Sequence, residues 1–149
     1  MVPSRSVTAS KPNFCFACGE ANREGLRLRF QYDPMLREVE SYVRLHSRYQ
    51  GATGFAHGGM IATLLDEAMA KVNGKEGIRA VTVRLNVSYL RMVPVEKRLR
   101  LTGKRLRRRG RKLYLSSQLF DGRNIVLATA TGTFLVVNPS NGIGSKRSR

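Results

Sequence analysis

The sequence predicts an α+β domain in which a six-stranded antiparallel sheet wraps around one central helix. Three observations predict it. One stretch, residues 57–72, carries apolar residues at helical spacing (60, 61, 64, 65, 68, 69 and 72). Two runs of alternating apolar and polar residues precede that stretch and four follow it. A single sheet of six strands has one hydrophobic face, and a single apolar helix is its natural cover.

The composition sets the outer bounds. The chain has 149 residues and 42% hydrophobic content, enough for one domain with a core. No apolar run approaches the ~20 residues that a membrane span needs. Residues 1–11 are polar and lack the apolar segment of a secretory leader. The net charge of +17, from 27 Lys and Arg against 10 Asp and Glu, calls for an anionic partner. Nucleic acid, an anionic membrane surface and a phosphorylated small molecule all qualify. Cys15 and Cys18 are spaced C-x-x-C. A structural zinc site wants four ligands, and only His46 and His57 are offered to complete it, at a spacing that matches no zinc-finger pair. We therefore expect no metal, two reduced thiols in a turn, and a reducing, cytoplasmic compartment.

Taken in order, residues 1–13 read as a flexible lead-in and 14–138 as one domain. Gly19–Gly25 is turn-rich, and Leu26, Leu28 and Phe30 then alternate with polar residues as a half-buried strand. Asp33-Pro34 is a turn signal. Glu38–His46 alternates again, with Val39, Ser41, Val43 and Leu45 on one side. Residues 47–56 form a loop into the helix, and Asn73-Gly74 supplies its stop. Ala80–Leu90 places Val81, Val83, Leu85, Val87 and Tyr89 on one face, and Thr82, Arg84, Asn86 and Ser88 on the other. Lys97–Arg107, Leu113–Phe120 and Ile125–Val137 complete the meander. Gly110 marks one turn, Asp121-Gly122 a hairpin, and Gly132 a bulge. Residues 139–149 are a basic, Gly/Ser-rich tail without the means to fold.

The helix carries the chemistry. It opens with His57-Gly58-Gly59 and holds two adjacent carboxylates, Asp66 and Glu67. A helix N-terminus offers unpaired N–H groups and a partial positive charge, and a substrate carbonyl can approach a backbone without side chains. The two glycines would equally serve a tight loop-to-helix turn. The carboxylates separate by their neighbours. Glu67 has Lys71 four residues on, a helix-surface pair that predicts a solvated side chain. Asp66 lies among Ala62, Thr63, Met69 and Ala70, a small-residue niche that desolvates it.

The strings Gly54-Phe55-Ala56-His57-Gly58-Gly59 and Ala62-Thr63-Leu64-Leu65-Asp66-Glu67-Ala68 resemble the hotdog fold. Within that fold they resemble the acyl-CoA thioesterases related to the phenylacetic-acid-pathway enzyme. Cys15-Phe16-Ala17-Cys18-Gly19 with Asn22 and Gly25-Leu26 looks like the lead-in of one branch, and Thr82–Leu90 like the first strand after the helix. The resemblance spans residues 14–137. It implies hydrolysis of acyl-CoA, with no cofactor beyond the CoA of the substrate. Non-catalytic acyl-CoA binding or polyanion binding is the alternative within the same fold. The resemblance makes Gly58 the donor of the key N–H and His57 an orienting residue. Asp66, nine residues after the His, becomes the base or nucleophile, and Thr82 the residue that positions the water or the carboxylate. Gly59 and Glu67 are further substrate-binding candidates. Many members carry Asn or Gln six residues before the His; here that position is Gly51, and Gln50 beside it is the substitute.

An assembly follows from helix geometry. From His57 to Asp66, nine residues of helix rise ~13–14 Å and turn the side chain about half a revolution. The first-turn amide and Asp66 of one chain cannot then share one thioester carbon. Two helices packed antiparallel across a two-fold would bring them together, so a homodimer with composite sites is expected, or a dimer of dimers as the family implies. The run from Lys104 to Lys112, with seven Lys or Arg in nine residues, sits on a hairpin. It suits CoA phosphates, but exceeds what one CoA needs; a solvated hairpin is the favoured reading, with polyanion or anionic-membrane contact as the alternative. Sparse aromatics there disfavour stacking on single-stranded nucleic acid.

Overall fold

The computed structural model describes residues 10–138. The expected tail at 139–149 and the first nine residues of the lead-in lie outside the described residues. The elements are β1 (Gln31–Asp33), β2 (Glu38–Arg44), α1 (Gly58–Lys75), β3 (Ala80–Tyr89), β4 (Arg98–Arg109), β5 (Lys112–Phe120) and β6 (Val126–Val136). All neighbouring strands are antiparallel, in the order β1-β2-β4-β5-β6-β3. The sheet curls around α1, which is the hotdog arrangement. α1 is an 18-residue helix.

Burial follows the periodicity. Val39, Ser41 and Val43 of β2 and the following Leu45 turn inward, as their alternation predicts. They meet Leu64, Leu65, Ala68, Met69 and Val72 of α1, together with Leu99, Leu101, Leu113, Leu115 and Phe134 from the central strands. Sheet and helix approach closely at two glycines. A Cβ on Gly103 of β4 would lie 2.3 Å from the Ala68 carbonyl oxygen. One on Gly132 of β6 would lie 3.0 Å from the Met69 sulfur. Gly132 therefore marks close approach, and the bulge expected there is absent: it pairs regularly with Leu85 and Leu115.

Other expectations are corrected. The first strand is shorter and later than Leu26–Gln31. Residues 26 and 28 pair instead with the lead-in, through Leu26 N–H to Phe16 O (2.8 Å) and Leu28 N–H to Ala17 O (2.9 Å). Ala17 is thereby seated in the core. Asn73-Gly74 does not stop α1. Asn73 is buried inside it, and the chain turns at Gly77, whose φ of +72° is a conformation glycine adopts freely. The hairpin expected at Asp121-Gly122 does form, joining β5 to β6. The Asp121 side chain accepts from the N–H groups of Arg123 (2.8 Å) and Ile125 (2.9 Å), organising a five-residue loop between Phe120 and Val126.

Candidate active site

His57 caps α1. Its backbone is extended (φ −62°, ψ 138°), and its Nδ1 accepts from the Gly59 N–H at 2.9 Å. This acceptor role places the proton of the neutral ring on Nε2. His57 also donates its own N–H to Tyr49 O at 2.9 Å, while its carbonyl accepts from Met60 and Ile61. Of the two glycine amides, Gly59's is thus taken. The Gly58 N–H has no partner among the described residues. The orphan donors of a helix start are reduced here to one at the mouth of the site.

Tyr89 covers this turn. Its hydroxyl donates to Gly58 O at 2.9 Å, and a Cβ on Gly58 would sit 3.5 Å from the same oxygen. The sequence reading did not single out Tyr89 as a site residue. The available signal was an aromatic ring at the end of β3, in phase with Leu85 and Val87. Gly51 packs on the cap: a side chain there would press to 3.2 Å from His57 Cα. That tight contact favours glycine at this position. Gln50 uses its Oε1 to accept from the Gly54 N–H at 3.0 Å, so it braces the entry loop and keeps its amide NH₂ outward of that bond.

Two turns along α1, Asp66 is half-buried, and its Oδ1 accepts from Thr82 Oγ1 at 2.8 Å. The alternation of β3 had put Thr82 opposite the apolar face. A bulge at Val83 reverses this. Thr82 pairs with the core residue Phe134, and Arg84 with the adjacent Thr133, leaving Val83 as the extra residue. Ala80 and Thr82 before the bulge therefore share the helix-facing side with Leu85 and Val87 after it. Val83, expected inside, is exposed.

Glu67 overturns the reading of a solvated side chain. It is only 14% exposed, with Lys71 Nζ 3.9 Å away. It faces the lead-in, where its carboxylate and the Cys15 and Cys18 sulfurs all lie within 4.8 Å of one another. Burial, chiefly, raises its proton affinity above the ordinary carboxylate range, and neighbouring Asp66 adds to this. The structure thus brings His57, Gly58, Gly59 and Tyr89 together at one end of the helix and Asp66 with Thr82 in its middle. Glu67 stands apart with the cysteines. The eight residues from Gly58 to Asp66 span about 12 Å of continuous helix.

The basic run is partly structural. Arg105 is buried, at 6% side-chain exposure, and pairs with Glu76, which also accepts from Tyr32 Oη at 2.9 Å. Arg107 stacks over Tyr114 at 4.3 Å, and Arg111 donates to Val136 O.

A two-strand-edged sheet around one helix, with a lone backbone donor at the helix start and a carboxylate in its middle, defines a hotdog-type site. The thioesterase superfamily pattern matches residues 53–128, and the chain belongs to that family. It is 31% identical over 117 residues to acyl-coenzyme A thioesterase THEM4 of Mus musculus, a match covering 75% of this chain and 50% of that protein. The chain spans about half the length of the curated relatives it matches. A phenylacetic acid degradation-related protein from Ralstonia eutropha JMP134 superposes with a TM-score of 0.68 at 25% identity, covering 74% of this chain and 86% of that one. A Streptococcus mutans protein solved with acetyl-CoA bound shares the fold at a TM-score of 0.69 and 22% identity, covering 74% and 89%.

Proposed function

We propose that the protein hydrolyses acyl-CoA thioesters to the free acid and CoA. The observation that carries the reading is the division of labour along α1. One backbone N–H, that of Gly58, is left without a partner beside a capped and braced turn. One carboxylate, Asp66, is held on a single oxygen by Thr82. Hydrolysis needs these two groups on opposite sides of a thioester carbonyl. The names of the curated relatives and the ligand of the Streptococcus mutans protein support acyl-CoA as the substrate class.

In this reading the free oxygen of Asp66 takes a proton from water as that water adds to the thioester carbon, or attacks the carbon itself. The carbonyl oxygen, becoming negative, accepts from the Gly58 N–H. The C–S bond then breaks and the CoA sulfur leaves: on the water route it takes the proton that Asp66 has gained, and on the direct route water then hydrolyses the acyl–Asp66 anhydride to the free acid and the regenerated carboxylate, releasing the proton that the thiolate takes up. Because ~12 Å of helix separates the two groups, the site is composite: the Gly58 N–H comes from one protomer and Asp66 from its partner. Supporting this, β3 is an edge of the sheet, and Val83, Tyr89, Leu90 and Met92, in and just beyond it, each expose about half of their surface.

The test is a panel of acyl-CoAs from acetyl to palmitoyl with aryl-acyl forms, followed by thiol release. Asp66→Asn keeps the shape and removes the base, and a loss of ~10²-fold or more in kcat is expected. Equal turnover by Asp66→Asn overturns the assignment. Tight binding of acyl-CoA without turnover by the native chain would instead make it a binding protein.

A further inference from the structure

We propose that Cys15, Cys18 and Glu67 form a binding site for a thiophilic divalent cation of the zinc type, which staples the lead-in to the middle of α1. Three potential ligand atoms, two sulfurs and a carboxylate oxygen, already lie within 4.8 Å of one another. The edges of a tetrahedral zinc site with sulfur at ~2.3 Å and oxygen at ~2.1 Å are roughly 3.5–3.8 Å. Side-chain torsions alone close a gap of that size. Water would fill the fourth position.

The backbone that carries the thiols is held before any cation arrives. Gly19 N–H donates to Cys15 O at 2.8 Å, closing the C-x-x-C-G turn, and Cys15 N–H donates to Asn13 Oδ1 at 3.0 Å. A Cβ on Gly19 would come within 2.4 Å of Cys15 N and 2.5 Å of Asn13 O, so only glycine fits this turn. The bonds from Leu26 and Leu28 then fasten the turn against the sheet. An isolated pair of thiols needs none of this to stay reduced.

Glu67 completes the cluster from the helix side. A carboxylate this buried is ordinarily well hydrogen-bonded. Among the described residues its charge partner is Lys71 at 3.9 Å, and its other polar neighbour is the Cys18 thiol. Two thiolates and one carboxylate carry −3, the cation +2 and Lys71 +1, so the cluster is neutral. Binding breaks the two S–H bonds, forms two metal–sulfur bonds, and releases two protons to solvent, with no change of oxidation state. A disulfide would satisfy the sulfurs alone and leave Glu67 with Lys71 as its charge partner. Counting only His as partners for the cysteines had hidden this third ligand, which is 49 residues away from Cys18 in sequence.

The experiment titrates the full chain, thiol-reduced and stripped of metal, with Co²⁺ and then Zn²⁺. One Co²⁺ per chain is expected, with thiolate-to-cobalt charge-transfer absorption and tetrahedral ligand-field bands that Zn²⁺ erases. Cys15→Ser and Cys18→Ser should each reduce the charge-transfer band, and Glu67→Gln should weaken Co²⁺ binding by about tenfold or more. Where a Cys variant fails to fold, alkylation of the native chain decides, since Zn²⁺ should shield both thiols in the native protein and shield them poorly in Glu67→Gln. No charge-transfer band at stoichiometric Co²⁺ overturns the proposal. So does a band unchanged by Glu67→Gln, or a metal-free protein isolated two hydrogens light with a Cys15–Cys18 bond. None of these readouts depends on thioester hydrolysis.

Discussion

The Asp66 carboxylate rests one oxygen on the hydroxyl of Thr82 at 2.8 Å, and that bond can be removed without changing the shape of the site. Thr82→Val keeps the branched side chain and deletes the donor. A hydrogen bond to a charged group contributes about 1.5–3 kcal/mol. We expect kcat to fall by roughly 10–100-fold with a small change in KM, and Thr82→Ser to restore most of it. A kcat unchanged by the valine would leave Thr82 as a strand residue only. Glu67 supports a different prediction. Its proton affinity is raised by burial in the folded chain, so folding favours the protonated acid. The stability linked to that proton is complete below the unfolded carboxylate pKa and is lost as pH rises through the folded one. Glu67→Gln, uncharged throughout, should raise the thermal midpoint of the metal-free protein at neutral pH, and the gain should vanish toward pH 4. Thermal melts across that range check the sign. The pairing of Asp66 with Thr82 was legible from spacing and resemblance. The placement of Glu67 was not, because an i,i+4 pair with Lys71 describes one helix and cannot register the lead-in folding over it.

α1 shows what periodicity conveys and what it omits. Its start was readable to within one residue, because His-Gly-Gly before an apolar stripe is a cap followed by an open backbone. Its end was missed by three residues. Asn73 is buried, and tertiary burial overrode the local preference of Asn-Gly for a stop. β3 was found in full but with one half turned over. Alternation assumes an unbroken ladder, and the bulge at Val83 leaves no local trace in a run of Val, Thr and Arg. The helix–strand contact at Gly103 is the tightest, and the obstacle there is main chain. Gly103→Ala must drive β4 away from the Ala68 carbonyl. Overpacking of this kind costs typically 1–3 kcal/mol, and we expect at least the upper part of that range. Chemical denaturation should show it as a lower midpoint with the slope unchanged.

The number and direction of the strands were legible, but the meander expected of all four strands after the helix holds only for β4, β5 and β6, because β3 leaves β4 and pairs with β6 at the far edge. Local turns predict which strands follow one another. They do not predict that β2 pairs with β4, or that β3 closes against β6. That outcome leaves β3 at a free edge with its exposed apolar residues, and it gives the composite site a test at the level of the assembly. Proline is tolerated at the first position of a helix and has no N–H, and the extended His57 that precedes it suits a proline. Gly58→Pro should therefore abolish turnover while folding normally. Mixed and reassembled with Asp66→Asn, it should regain activity, because half of the randomly formed dimers are mixed and each of those holds one intact site. About a quarter of the native activity is expected from that count. No recovery on mixing would place both groups in one chain.

The capped turn at Gly58 also bears on how such a protein can change over generations. Its donor belongs to the main chain, and eighteen of the nineteen replacements at that position would leave the N–H in place. Ordinary point substitution can block the approach to it but has only proline with which to erase it. The acidic half of the site has no such protection, since many single-base changes to an Asp codon remove the carboxylate. Under the proposed reaction, loss of hydrolysis in this lineage should thus begin at the carboxylate. A descendant that had lost it would still hold a carbonyl by its oxygen, which is a short route from enzyme to receptor.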